Sequence, residues 1–313
     1  MKRKFVRVGL GVLVVAVGTL ILPNARALYE GIFFHVRPAI SPNSIRPINR
    51  DGRYASLYDL VHLRNAERLD YLPRHLDLPN VSVVQIPIPN SKLQNVFVRF
   101  SAVEPYTIFC AHYDKLYDDE RYQGASDNTA AVSVLLASIT ELARRGDAGN
   151  RAFLFTGEEE HGLRGAKTFV EYAHTNNIAI REIVNFDGLG RGKLAIRPSA
   201  DVVGLVFTLP LYGDITYDGR EFRRSPPYPP ANARLTQSLL RAQPNIVVLE
   251  RFTALGDSNA FQQNGIPTVA INSDDMYFLE MTWHSYADRV ELLDERNLDL
   301  AFELIVGYNE RTP

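Results

Sequence analysis

The chain has 313 residues, 46% of them hydrophobic and 22% charged, enough to bury one substantial core or one core with a small cap. A formal net charge of -2 excludes the basic footprint of a nucleic-acid binder and a polybasic surface for anionic lipid, so a neutral or small polar substrate is the default. The single cysteine, Cys110, excludes a disulfide framework within the chain; inside an apolar run it reads as a small buried hydrophobe.

Lys2, Arg3, Lys4 and Arg7 precede an apolar stretch over 8–22, and Ala25-Arg26-Ala27 follows as a small-x-small cleavage pattern. Residues 1–27 are therefore expected to be a signal peptide or an N-terminal membrane anchor, and 28–313 a single catalytic domain. Either reading puts the body outside the cytoplasm, periplasmic or secreted, with a membrane as partner if the segment is retained.

Leu57, Leu60, Val61 and Leu69 among charged residues predict an amphipathic helix over about 54–69. Alternation over 81–88 and again over 96–100 predicts adjacent strands of an antiparallel edge. A continuous apolar strand is expected over 106–111, then a helix over 129–145 with Val132, Leu135, Leu136, Ile139 and Leu142 on one face and Gly146 as its C-terminal cap. A buried strand over 152–156, a helix over 164–174 and a strand over 183–186 complete the series. Strands alternating with helices imply an α/β fold of three layers, α/β/α, with a central mixed, largely parallel sheet.

In such a sheet, ligands bind beyond the carboxyl ends of the strands. His112 follows one predicted strand, Glu159 and Glu160 another, and Asp187 a third. With Asp127 and His284 these are imidazole and carboxylate groups suited to zinc, which points to a metal-dependent hydrolase. Bland readings stand beside this one. Asp127, taken alone, is an N-cap for the helix that follows. Glu158 is a solvated or helix-leading charge. His35, His62, His75, His161 and His174 are surface or packing residues, and Trp283 either walls a pocket or fills core.

The segments Ala111-His112-Tyr113-Asp114, Gly124-Ala125-Ser126-Asp127-Asn128, Gly157-Glu158-Glu159-Glu160-His161-Gly162-Leu163, Asn185-Phe186-Asp187 and Trp283-His284-Ser285 resemble, in order, the signatures of the co-catalytic zinc aminopeptidases. This is the family of the bacterial leucyl aminopeptidases, whose fold the glutaminyl cyclases share. The resemblance runs from about Asn80 to the C-terminus. It implies two zinc ions bridged by Asp127, one held with Glu160 and His284, the other with His112 and Asp187, and a shared water between them. It makes Glu159 the general base, because Gly162, Leu163 and Gly165 select Glu159 and Glu160 from the acidic run. It makes Asp114 the carboxylate that orients His112.

The pattern is broken where Ala166 stands for a usual Ser and where Gly256-Asp257-Ser258 replaces Ser-Asp-His, both of which bear on substrate contacts. The proline-rich run 225–230 is expected to be a loop near the mouth of the site. The resemblance implies an exopeptidase that hydrolyses N-terminal residues from peptide substrates. Its alternatives are a single-zinc glutaminyl cyclase, suggested by Trp283-His284, and a catalytically silent ectodomain of the same fold.

Overall fold

The computed structural model describes residues 44–100, 104–197, 230–249 and 256–308. The expected leader over 1–27 and the proline-rich run over 225–229 lie outside them. Among the described residues no helix is long and apolar enough to cross a membrane. In chain order the elements are α1 (Ala55–Leu60), α2 (Asn65–His75), β1 (Ser82–Pro87), β2 (Gln94–Arg99), β3 (Tyr106–His112), α3 (Ala130–Arg145), β4 (Arg151–Thr156), α4 (Arg164–Thr175), β5 (Ile180–Phe186), β6 (Leu194–Arg197), α5 (Pro230–Ala242), β7 (Val247–Val248), α6 (Asp257–Gln263), β8 (Thr268–Ser273), α7 (Met276–Thr282) and α8 (Glu295–Gly307).

The strands form one mixed sheet in the order β1-β2-β4-β3-β5-β8-β6-β7. Its centre, β4-β3-β5-β8, is parallel. β1 and β2 form the antiparallel edge that the alternation predicts, and β6 runs antiparallel to β8. All seven residues of β3 are buried, as a strand covered on both faces requires. Ile108, Cys110, Leu154 and Ile183 pack under Ala166 and Phe169 of α4 and Phe261 of α6. From the same strands, Phe109, Phe153 and Phe186 turn the other way, toward Tyr308 at the end of α8. The odd and even residues of β3 thus fill separate cores, one on each face.

Helix α3 buries the five residues of its expected apolar face and ends as the sequence predicts: Gly146 takes φ 69° and its N–H donates to the Leu142 carbonyl at 2.9 Å. The expected single helix over 54–69 is corrected to two, α1 and α2, separated by a turn at 61–64. Asn65 and Arg68 face inward from the second, which a continuous amphipathic pattern disguises.

The connection from β3 leads through α3 to β4 on one side, and that from β4 leads through α4 back across β3 to β5 on the other. This reversal opens a crevice at the carboxyl end of β3, where His112 pairs in register with Thr156 and Cys110 with Asn185. The turn after β4 is locked by Asn95, whose amide donates to Gly165 O at 2.8 Å and whose Oδ1 accepts from Gly157 N at 3.2 Å. A Cβ on Gly165 would overlap the Gly157 carbonyl and lie 2.5 Å from Asn95 Oδ1. Gly165→Ala is therefore expected to cost about 1–3 kcal/mol through overpacking at this turn, read as a fall in Tm; an unchanged Tm would contradict the packing.

Candidate active site

The groups that converge on this crevice come from three strand ends, β3, β4 and β5, from the turn before α3 and from the segment after α7. Asp127 lies in an irregular turn, Ala125–Thr129, before α3, at φ -116° and ψ 86°. Its side chain makes no capping bond to α3, so the N-cap reading is corrected. Instead its two oxygens divide: Oδ1 lies 3.1 Å from His112 Nε2 and Oδ2 lies 3.4 Å from His284 Nε2. Beyond His112, Asp187 Oδ1 lies 3.7 Å from the same Nε2. Beyond His284, Glu160 Oε2 lies 3.1 Å from Nε2. Donor atoms of His112, Asp127 and Asp187 fall within 4.8 Å of one another, as do those of Asp127, Glu160 and His284.

His284 and Glu158 sit at φ 52° and φ 58°, a left-handed conformation that side chains other than glycine adopt at a cost. The surrounding contacts must hold both. Glu158 is bound rather than solvated: its carboxylate accepts from Arg164 Nη1 at 3.2 Å and from the Ser91 hydroxyl. This corrects the solvated alternative of its reading and leaves Glu159 and Glu160 facing the crevice.

Asp114 does more than the sequence suggests. His112 Nδ1 lies 3.1 Å from the Asp114 backbone carbonyl and 3.6 Å from its carboxylate, so the carbonyl is the closer partner of the ring. The carboxylate itself accepts from Glu159 N at 3.2 Å and Glu160 N at 3.3 Å, bracing both glutamates. Three further buried residues of the site were given no role by the sequence. Asp288 accepts from Ser126 N at 2.7 Å and Asp127 N at 3.0 Å, and so fixes the turn that carries Asp127. Arg197 Nη2 lies 3.2 Å from Asp187 Oδ2. Asp257, flagged in the sequence only as part of a departure, bonds the Thr156 hydroxyl and keeps Oδ1 buried without a partner. Side-chain room at Gly256 is closed by Asp187 Oδ2, 2.9 Å from where a Cβ would stand.

Crowded carboxyls in a buried crevice shift one another's protonation. Burial raises Glu159 well above the usual carboxylate range, with Glu160, Asp257 and Asp187 adding to the push against His112. Burial, then Asp127, raises Glu160. Burial lifts Asp257 and Asp288 to about 7. Asp187 goes the other way, to about 2: burial opposes ionisation, but His112 and Arg197 prevail. His112 is held well above its ordinary value, burial being outweighed by Glu159 and the neighbouring aspartates.

The residues fit a bound cation. The donor set is imidazole nitrogen and carboxylate oxygen, and Glu160 Oε1 is buried with no hydrogen-bond partner, an arrangement expensive for a carboxylate unless a cation meets it. Of the remaining histidines, His75 stacks on Tyr71 and His161 faces Glu158, both away from these triads. Trp283 is 57% exposed with its ring centroid 4.2 Å from that of His284, which places it at the surface beside the site and excludes the core reading.

Comparison with known proteins places the fold and the family. Among curated proteins, a vacuolar membrane protease of Lachancea thermotolerans is 27% identical over 123 residues, 38% of this chain and 12% of that protein, so the chain spans about an eighth of its relative. Among solved structures, the LapA aminopeptidase of Legionella pneumophila superposes with a TM-score of 0.65 at 15% identity, over 83% of this chain and 70% of that one. A glutaminyl cyclase of Tannerella forsythia gives 0.60 at 17% identity, over 85% and 100%. A Zn-dependent exopeptidase of Parabacteroides distasonis gives 0.58 at 15%, over 85% and 100%. At these identities the structures share the fold. The model of Peptidase family M28 matches residues 95–308, well over half of the chain. The chain belongs to Peptidase family M28, a metallopeptidase family for which zinc is the implied metal.

Proposed function

We propose that the chain is an aminopeptidase acting on peptides outside the cytoplasm, with two zinc ions held by His112, Asp127 and Asp187 and by Asp127, Glu160 and His284, and with Glu159 as general base. The observation that carries this reading is the divided carboxylate of Asp127, one oxygen toward each imidazole. In that orientation one side chain is placed to serve both donor sets. Zinc at such a site acts as a Lewis acid on a carbonyl and brings the pKa of a water toward neutrality.

The chain's own residues supply the rest. Glu159 is half-buried at the crevice, and its backbone is pinned by Asp114, which fixes the point from which its carboxyl reaches a substrate. Burial raises its pKa, the direction that suits a group that takes a proton from the attacking water and returns it to the departing amine. The adjacent Glu160 turns Oε2 toward His284 at 3.1 Å, a contact that supports separate roles for the neighbouring carboxyls. Trp283 offers an apolar wall for the substrate's first side chain. Residues 1–27 deliver the domain across a membrane as a cleaved signal peptide or hold it there as an anchor.

A single-zinc glutaminyl cyclase is the second reading, favoured by the exposed Trp283 ring on His284 and by glutaminyl cyclases among the structures of like fold. Zinc quantification on the purified protein, together with assays of aminoacyl amides and of peptides with N-terminal glutamine, separates the two. Two ions with amine release is the expected result. One ion with ring closure would transfer the site to the second reading, and an empty, inactive site would overturn both.

Two substitutions test the assigned roles. Glu159→Gln is expected to retain both ions and lose about 10²–10⁴-fold in kcat; full metal with a near-normal rate would remove Glu159 from the chemistry. Asp127→Ala is expected to deplete both ions, whereas His284→Ala depletes one. Equal zinc content in the two variants, measured by atomic absorption after dialysis, would contradict a shared carboxylate.

A further inference from the structure

The two donor sets differ in what stands behind them. Glu160 turns Oε2 toward His284 and keeps Oε1 buried without a hydrogen-bond partner, so both oxygens are available to one cation. Asp187 turns Oδ1 toward His112, and its Oδ2 is taken by Arg197 at 3.2 Å. Arg197 is the last residue of β6 and only 6% exposed. It reaches Asp187 from across β8, with which β6 pairs antiparallel. A guanidinium stays charged at any pH the protein meets, and in a buried setting its charge is weakly screened.

Resting on the two-cation reading above, we infer that Arg197 sets the affinity of the position formed by His112, Asp127 and Asp187. It does so by confining Asp187 to one donor oxygen and by placing a permanent positive charge beside that carboxylate. A cation entering there competes with a guanidinium already paired to its ligand, while a cation at Glu160 meets an oxygen that is buried without a hydrogen-bond partner. The first position is then the exchangeable one and the second the retained one. Arg197 acts through Asp187 and is a positioning residue.

A purely structural ion pair makes the opposite forecast. If Arg197 only steadies β6 against β5, removing it loosens Asp187 and weakens cation binding. If it opposes the cation, removing its charge tightens binding. Across about 5 Å, even water-like screening leaves a unit charge able to change the affinity of a divalent ion by about tenfold.

The test uses the full chain, stripped with a chelator and titrated with Zn²⁺ in competition with a chromophoric chelator, with folding checked by circular dichroism. Wild type is expected to bind in two steps of unequal affinity, the weaker absent from Asp187→Asn. In Arg197→Gln the weaker step should tighten by about tenfold and the stronger step stay within about threefold. Arg197→Lys, which keeps the charge, should stay close to wild type at both. An unchanged or weakened second step in folded Arg197→Gln would overturn the inference. So would two equal steps in wild type, a result that needs no variant to fold. Two equal ions with normal amine release would leave the aminopeptidase reading intact and sink this inference alone, whereas a wild-type chain that binds no Zn²⁺ would end both.

Discussion

The structure is organised around the cost of gathering acidic groups in one buried crevice. Asp114, Asp127, Glu160, Asp257 and Asp288 are buried, and Glu159 and Asp187 open onto the same space. Like charges this close, cut off from water, repel one another and resist ionisation, which is why burial drives Glu159, Glu160, Asp257 and Asp288 upward. A fold retains such a cluster only where something offsets it. Asp114 and Asp288 are offset by pairs of backbone amides, and Asp187 by Arg197. Asp127 and Glu160 face imidazoles, with Glu160 Oε1 left unmet, so the centre of the cluster is where a cation relieves most repulsion.

Precision at that centre comes from outside it. Arg68, on α2 and ahead of the region matched by the family model, donates to the carbonyls of Tyr113 at 3.0 Å and Gln123 at 3.2 Å and to the Thr129 hydroxyl at 2.8 Å. It thereby joins the strand end bearing His112 to the turn bearing Asp127. Asn65, one helical turn earlier, accepts from Lys115 N and donates to Lys115 O. Lys115 in turn donates Nζ to the carbonyls of Asp119 and Tyr122, and burial lowers its pKa to about 8. The N-terminal helices are thus part of the scaffold that holds the crevice open. Their contribution is rigidity, the property on which a site made from distant segments depends.

The sequence made the centre of the fold legible and the periphery less so. β3, β4 and β5 are apolar runs of strand length, and the ligands at their ends follow from where an α/β sheet places its crevice. The α3 face and Gly146 were equally plain because helical period and a glycine stop reinforce one another. Asp127 was ambiguous by itself: an acid before a helix satisfies local capping rules, and only the contacts with His112 and His284, at sequence separations that no local pattern spans, override them. The split of 54–69 was hidden because Asn65 and Arg68 are buried polar groups, which a hydrophobic period counts as exposed. Asp288 and Arg197 lay beyond reach for the same reason. Asp288 acts on a turn 161 positions away and Arg197 on a residue reached across an intervening strand, with no spacing to announce either. After β6, the elements β7, α6, β8 and α7 run only two to seven residues, too few to show a period.

The proposed chemistry requires Asp127 to serve two cations at once. Anomalous scattering at the zinc edge from crystals of the protein grown with Zn²⁺ addresses that claim without recourse to turnover. The account predicts two peaks roughly 3.5–4 Å apart on either side of the Asp127 carboxylate. A single peak, or a pair with the Asp127 side chain turned away from both, would contradict it.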